Sequence, residues 1–155
     1  MNNLYLAGLF DGEGCISIRK TFRSGKNGKR IWFMPTLSCN QSDLPLKRIV
    51  IEEFKNRFGG TINKEPGRGN SRDSVRWSLQ GTKKILSFLD ELEPYLFIKQ
   101  PHCVVIRRFL KTCRIDHNPA PLSIIELTKK ETLFVEMKKL NSVGKFPVNY
   151  QGGTN

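Results

Sequence analysis

The fold of this chain is restricted most by two pairs of segments in which apolar and polar residues alternate. A glycine-containing segment separates the two members of each pair. The first is CISIRKTFR and IWFMPTLSC on either side of SGKNGKR, and the second is TINKE and SVRWSLQ on either side of a tip containing PGRGNSR. Successive side chains of a β-strand point to opposite faces. The alternation therefore predicts two antiparallel hairpins, each with an apolar face and a polar, largely basic face.

Segments with helical spacing of apolar residues come before and after each hairpin. A helix of less than two turns begins at Leu6 and is ended by DGEG, a second runs from Ser42 to Gly60, and a third from Thr82 to about Glu93. The second helix is expected to pack in the core through one face, formed by Leu46, Ile49, Val50, Phe54 and Phe58. Further helices are expected in IKQPHCVVIRRFLKTC and LSIIELTKKETLFVEMKKLN. The order αββαββα, with extra C-terminal helices, predicts an α+β domain whose antiparallel sheet is covered by helices on one face.

Composition fits one domain with a polyanionic partner. The chain has 155 residues, of which 38% are hydrophobic, and 26 Lys and Arg against 14 Asp and Glu give a net charge of +12. We expect a single domain over 1–141 and a flexible tail over 142–155. The charge favours nucleic acid as partner, and the alternative is a basic protein with no nucleic-acid role. Composition and periodicity alone favour a binding module over an enzyme.

Other kinds of chemistry receive little support from the sequence. The apolar run at the N-terminus is broken at Asp11, which predicts neither a signal peptide nor a membrane helix, so an intracellular protein without a membrane partner is expected. The four cysteines lack paired spacing, and a zinc site from Cys103, Cys113 and His117 is a minor alternative. His117 and His102 are expected to be packing or surface residues.

The nine residues LAGLFDGEG, Leu6 to Gly14, resemble the signature motif of the LAGLIDADG homing endonucleases. Phe10, Gly12 and Glu13 replace residues that vary within the family, and the order αββαββα is also that of the family. The resemblance implies an intron-encoded, site-specific endonuclease whose sheets form a DNA-binding saddle. Such an enzyme cuts both strands of a long pseudopalindromic site and leaves 3′ overhangs. An RNA-binding intron maturase and a non-catalytic DNA-binding protein are the alternatives.

The chain contains one copy of the motif and in this resembles the single-motif, homodimeric branch of that family. Small residues on the motif helix allow two helices to approach closely, and a twofold axis between them would bring both Glu13 side chains to the centre of the saddle. The predicted dimer interface consists of Leu6, Ala7, Gly8, Phe10, Asp11 and Gly12. The alternative is that the small residues pack inside one monomer. Asp11 is also expected to be a structural hydrogen-bonding residue rather than a metal ligand.

The resemblance also implies the catalytic residues. Glu13, with the carbonyl of Gly12, would hold Mg²⁺ at the scissile phosphate, and Mn²⁺ or Ca²⁺ could substitute for binding. A carboxylate is unfavourable at a helix C-terminus, which also favours a metal role over a plain surface role for Glu13. Gln41 in SCNQS would orient water, and Lys99 in EPYLFIKQ would lie near the phosphate. A further basic residue is either Lys47 or Arg48.

The partners implied are double-stranded DNA, a second copy of the chain and, as a further candidate, the host intron RNA. The expected location is an organelle, either chloroplast or mitochondrion, or a prokaryotic cytoplasm. The residues expected to bind DNA are outward-facing strand residues, which would read base edges, and hairpin-tip cations, which would meet phosphates. They are Ser17, Arg19, Thr21, Arg23, Lys26, Lys29, Arg30, Trp32, Met34, Thr36, Ser38, Arg68, Arg72, Arg76 and Ser78.

Overall fold

The computed structural model of the chain describes residues 1–25, 28–114 and 121–142, without the side chains of Arg23 and Lys29. These ranges contain α1 (Asn3–Glu13), β1 (Gly14–Gly25), β2 (Gly28–Ser42), α2 (Pro45–Phe58), β3 (Thr61–Glu65), β4 (Ser74–Gln80), α3 (Thr82–Leu92), a short 3-10 helix (Glu93–Tyr95), α4 (Gln100–Lys111) and α5 (Ile124–Ser142). The predicted α+β class and the order αββαββα with C-terminal helices are confirmed.

The four strands form one antiparallel sheet in the order β1-β2-β4-β3. The long β1–β2 hairpin pairs continuously from Gly14 opposite Cys39 to Gly25 opposite Gly28. The alternation in the sequence gives the inward face of the sheet as predicted, and most of its apolar side chains are buried, whereas Phe22 near the tip of the first hairpin is exposed. The inward side chains include Ile16, Ile18, Phe33, Leu37, Val75, Trp77 and Leu79.

Aromatic side chains from the helices fill the space above this inward face. The ring of Phe10 on α1 lies 4.8 Å from that of Phe88 on α3, and Phe54 on α2 stacks 5.0 Å from Trp77. The indole Nε1 of Trp77 donates to the carbonyl of Gly59 at 2.7 Å, so its polar atom is satisfied inside the core. This cluster fixes α1 against the sheet, which determines where the motif ends.

The first helix is longer than the motif alone predicts. It begins at Asn3 because the side chain of Asn2 accepts a hydrogen bond from the backbone N–H of Tyr5 at 2.9 Å and caps the helix. The helix therefore has 11 residues rather than fewer than two turns. Its N-terminal extension carries Leu4 and Tyr5, both of which are exposed.

The second helix differs from its prediction in both start and orientation. It begins at Pro45 rather than Ser42, and its buried side chains include Val50, Ile51 and Phe54. At about 100° per residue, this face leaves Leu46 at its flank and Ile49 nearly opposite, and both are exposed. The expectation that Leu46 and Ile49 pack in the core is therefore wrong.

Two predictions concern residues that the structure does not describe, and a third concerns membrane helices. The predicted tail begins at Ser142, the last residue of α5, and 143–155 lie outside the described residues, as does His117. Among the helices that are described, none has the combination of length and apolar content that a membrane span requires.

Candidate active site and nucleic-acid interface

The end of α1 and the start of β1 meet without a loop. The backbone N–H of Gly14 bonds to the carbonyl of Phe10, and a Cβ on Gly14 would overlap that carbonyl and the Phe10 ring, so only glycine fits. Glu13 and Gly12 are exposed at this junction. The strand thus leaves the helix immediately, and the last helical carboxylate is left at the surface.

The register of the sheet brings the end of α1 to the end of β2. Gly14 pairs with Cys39, so Glu13, which precedes Gly14, and Gln41, two residues after Cys39, lie at the same end of the β1–β2 ladder. Gln41 itself is buried at the end of β2. Burial, with a contribution from the Glu13 charge, raises the pKa of the Cys39 thiol to about 12, so Cys39 remains a neutral thiol beside the carboxylate.

Asp11 brings a third predicted residue to this end of the helix. Its carboxylate accepts hydrogen bonds from the backbone N–H groups of Phe97, at 2.6 Å, and of Lys99, at 3.0 Å. The prediction that Asp11 is a structural hydrogen-bonding residue is confirmed. Lys99 is thereby fixed beside the last turn of α1, and its charge adds to burial in lowering the pKa of His102. His102 is buried, as expected of a packing residue.

The structure separates the two candidates for the additional basic residue. Arg48 pairs with Asp43 at 3.1 Å and with Glu52 at 3.4 Å. Lys47 is exposed and makes no ion pair with any described residue. At about 100° per residue, Lys47 lies on the same side of α2 as the buried Ile51, in the turn closest to the end of β2. Lys47 is therefore the better placed of the two to approach Gln41 and Glu13.

The donor set of one chain fits a hard divalent cation only in part. Carboxylate and carbonyl oxygens are ligands that Mg²⁺ accepts, and Glu13 and Gly12 supply one of each. Among the described residues there is no group of three or more His, Cys, Asp or Glu side chains suited to a metal ion. A cation at Glu13 would need further oxygen ligands, and phosphate, water, amide or carbonyl groups and another chain are all able to supply them.

The predicted dimer interface needs correction in half of its residues. Leu6, Ala7 and Phe10 are completely buried, because they point into the chain's own core. For Ala7 the alternative of packing inside the monomer is thus the correct one. Gly8 and Gly12 lie on the opposite side of α1, and a Cβ on either glycine would meet nothing within 4 Å. Asp11 uses its carboxylate within its own chain.

Large apolar side chains of α1, of α2 and of the segment around the 3-10 helix are exposed. Arg57 of α2 donates to the carbonyl of Met1 at 3.3 Å, and Asp11 holds the segment after the 3-10 helix, so α1 runs between these two elements. Phe97 is 87% exposed and Leu46 is 80% exposed. We call this surface the α1 patch, and it consists of Leu4, Tyr5, Leu46, Ile49, Tyr95, Phe97 and Ile98. Monomeric proteins rarely expose so many large apolar side chains in one region.

The outward face of the sheet carries most of the residues expected to bind DNA. Exposed or partly exposed are Ser17, Arg19, Thr21, Arg30, Trp32, Met34, Ser38, Arg68, Arg72, Arg76 and Ser78. The prediction that Thr36 binds DNA is corrected, because its side chain is only 1% exposed. Thr36 lies on the central strand β2, between Ser17 and Gln80 of the neighbouring strands. Lys26 and the side chains of Arg23 and Lys29 lie outside the description.

Three further residues of this outward face are absent from the set predicted from the sequence to bind DNA. Asn40, Arg76 and Asn63 form one row across β2, β4 and β3, and Glu65 lies two residues beyond Asn63 on the same face. Extending the outward alternation to the ends of the strands would have identified Asn40, Asn63 and Glu65.

A family model described as LAGLIDADG endonuclease matches residues 6–99, which run from the first residue of the motif to Lys99. The chain belongs to this family. The predicted recognition is thereby confirmed, and the match includes the helix α1, the whole sheet and the segment that Asp11 anchors. No curated protein sequence matches the chain significantly.

Solved LAGLIDADG structures share the fold of the chain. The homing endonuclease I-CvuI, in complex with its target in the presence of calcium, is 19% identical with a TM-score of 0.68, covering 89% of this chain and 80% of that chain. The archaeal intron-encoded homing endonuclease I-Vdi141I, complexed with DNA, is 20% identical with a TM-score of 0.68, covering 98% and 88%. I-SmaMI, bound to uncleaved DNA with calcium, is 20% identical with a TM-score of 0.67, and the chain covers 54% of it. The chain thus covers most of I-CvuI and I-Vdi141I but about half of I-SmaMI, as expected of a family member with a single motif.

Proposed function

We propose that this chain is a site-specific, intron-encoded double-strand DNA endonuclease that acts as a homodimer with Mg²⁺. The observation that supports this most is the exposed Glu13 carboxylate at the end of the motif helix, with Lys99 held beside that helix end by Asp11. Membership of the LAGLIDADG endonuclease family supports the class of reaction. I-CvuI and I-Vdi141I, which share the fold, are complexes with DNA.

Dimerisation follows from the surface around α1. One Glu13 per chain accounts for one strand cut, so a double-strand break requires two chains. The open side of α1, with Gly8 and Gly12, allows a second α1 to approach closely, and the α1 patch would be buried by the same contact. The two sheets then form one saddle, and symmetric halves favour a pseudopalindromic site.

The chain's own residues then have separate tasks at the scissile phosphate. Glu13 and the carbonyl of Gly12 would hold the cation, which when bound would supply charge stabilisation and a more acidic water. Gln41, at the same end of the sheet, orients the attacking water, and Lys99 and Lys47 add positive charge as the phosphate becomes more negative in the transition state. Attack on both strands across the minor groove leaves 3′ overhangs.

Selection of cleavage sites tests this function directly. A randomised or genomic DNA library is incubated with the protein and Mg²⁺, and parallel reactions contain EDTA. We expect cuts in both strands of a long pseudopalindromic site, with 3′ overhangs, only when Mg²⁺ is present. Binding without cutting would favour the DNA-binding protein, and affinity only for intron RNA would favour the maturase.

The basic residue of α2 gives a first mutational prediction. Lys47→Met should slow single-turnover cleavage by about 100-fold, because it removes positive charge near the reacting phosphate. Arg48→Met removes the same charge from a side chain already paired with Asp43 and Glu52, and should change the rate only about 3-fold or less. A larger loss in Arg48→Met than in Lys47→Met would reverse the assignment.

A further inference from the structure

An ion pair lies on the outward face of the sheet at the end that is closest to Glu13. Nη2 of Arg76 on β4 lies 3.1 Å from Oε2 of Glu65 on β3, and the two side chains are 37% and 40% exposed. Arg76 pairs across the sheet with Asn40, which follows Cys39, the residue that pairs with Gly14 directly after the end of α1. Both charged groups are therefore accessible from the open face, close to the proposed position of the cut.

A carboxylate is unexpected at this position. The outward face and its hairpin tips are otherwise rich in cations, as binding to phosphates requires, and a negative charge among them weakens that binding. A carboxylate can accept hydrogen bonds but cannot donate them. In the major groove it therefore suits the amino groups of cytosine and adenine and is repelled by the acceptors of guanine.

The guanidinium of Arg76 complements this restriction. Its Nη1 and the second N–H of Nη2 make no hydrogen bond to a described residue, and together they match O6 and N7 of guanine. In a G·C pair those acceptors and the amino group of cytosine lie side by side along the same edge. An ion-paired arginine and glutamate can thus contact both bases without separating from each other.

The surroundings leave this pair free to adjust. Nε of Arg76 and Oδ1 of its cross-strand neighbour Asn40 are buried, and neither has a hydrogen-bond partner among the described residues. Apart from its contact with Glu65, the guanidinium of Arg76 is not held by a bond to any described residue, so it loses little when it reorients toward DNA together with Glu65. The contact with Glu65 orients the guanidinium before binding.

We propose that the Arg76–Glu65 pair is a specificity determinant that reads one G·C base pair in each half-site, with Arg76 on guanine and Glu65 on cytosine. This inference rests on the proposed function, since it concerns the DNA that the dimer would cut. It adds an acidic residue to the recognition surface and assigns a base pair to two named side chains.

Site selection with matched variants tests the pair. The wild type should yield one G·C pair per half-site, placed symmetrically near the cut, and Arg76→Gln should shift that position to adenine, the base that glutamine contacts. Glu65→Gln should reduce the preference for cytosine at the same pair by about 10-fold. It should also bind non-specific DNA more tightly than the wild type, because it removes a negative charge from the DNA-facing surface. The change in base preference is the result that a purely structural role would not produce.

Glu136→Gln is the matched control, because Glu136 pairs with Arg108 at 2.9 Å on the helical side of the molecule. It changes the net charge equally and should leave the preference intact. If the wild type cuts its site but neither Arg76→Gln nor Glu65→Gln alters any base preference, the inference is overturned while the proposed function stands. If the wild type neither binds nor cuts any DNA, both are overturned.

Discussion

Replacement of Glu13 by Gln is expected to slow DNA cleavage by at least about 1,000-fold, because the amide cannot replace the negative charge that holds a divalent cation at the phosphate. Affinity for the selected site should stay within about 3-fold of the wild type or rise slightly. The substitution keeps the shape of the side chain at an exposed position and removes a negative charge close to DNA.

Two measurements separate these effects. Single-turnover cleavage of the selected duplex in Mg²⁺ reports the rate, and binding in Ca²⁺ or EDTA reports the affinity. Glu136→Gln, which removes a carboxylate from the helical side, should cut at the wild-type rate. Retention of Mg²⁺-dependent cleavage at the wild-type rate in Glu13→Gln would show that the catalytic carboxylate lies elsewhere.

Replacement of Gly8 by Glu should convert the protein to a monomer and reduce double-strand cleavage by about 1,000-fold. A side chain at Gly8 meets nothing within the chain, so the monomer keeps its fold. Removing a helical glycine should even stabilise the monomer by about 0.5 kcal/mol. Between two copies of α1, however, each new side chain prevents close approach and places like charges at the axis.

Light scattering or sedimentation with and without the selected DNA gives the oligomeric state, and thermal unfolding shows whether the monomer is intact. Ser87→Glu adds the same charge at an exposed position of α3 and should remain a dimer with full activity. A dimeric, fully active Gly8→Glu protein would place the subunit contact away from α1. An active monomer would contradict the need for two chains.

Local patterns in the sequence anticipate the elements and one face of the sheet. The alternation in SVRWSLQ predicts β4 with Val75, Trp77 and Leu79 inward, and these side chains are buried. The stripe of α3 is equally clear, because its apolar residues recur at helical spacing on one side only. Such patterns suffice where one face of an element is wholly apolar.

They fail where apolar residues lie on more than one face. In α2, Leu46 and Ile49 look like core residues, but the helix is oriented by Val50, Ile51 and Phe54, and the other two are left outside. A dimer interface and a core use the same residue types, so composition cannot distinguish them. The same ambiguity affects Ala7, which is small like Gly8 but lies on the buried side of α1.

The sequence by itself determined the family and the order of elements, because these depend on a contiguous motif and on local periodicity. The same motif singles out Glu13 as the proposed metal ligand. Only the tertiary structure decided which side of α1 is open, that Asp11 holds the backbone of Lys99 near the end of α1, that Arg48 but not Lys47 forms ion pairs with described residues, and that Glu65 meets Arg76. Each of these depends on contacts between residues far apart in the chain or on the phase of a helix against the sheet. Such relations are fixed when the core packs, and no local pattern of residues encodes them.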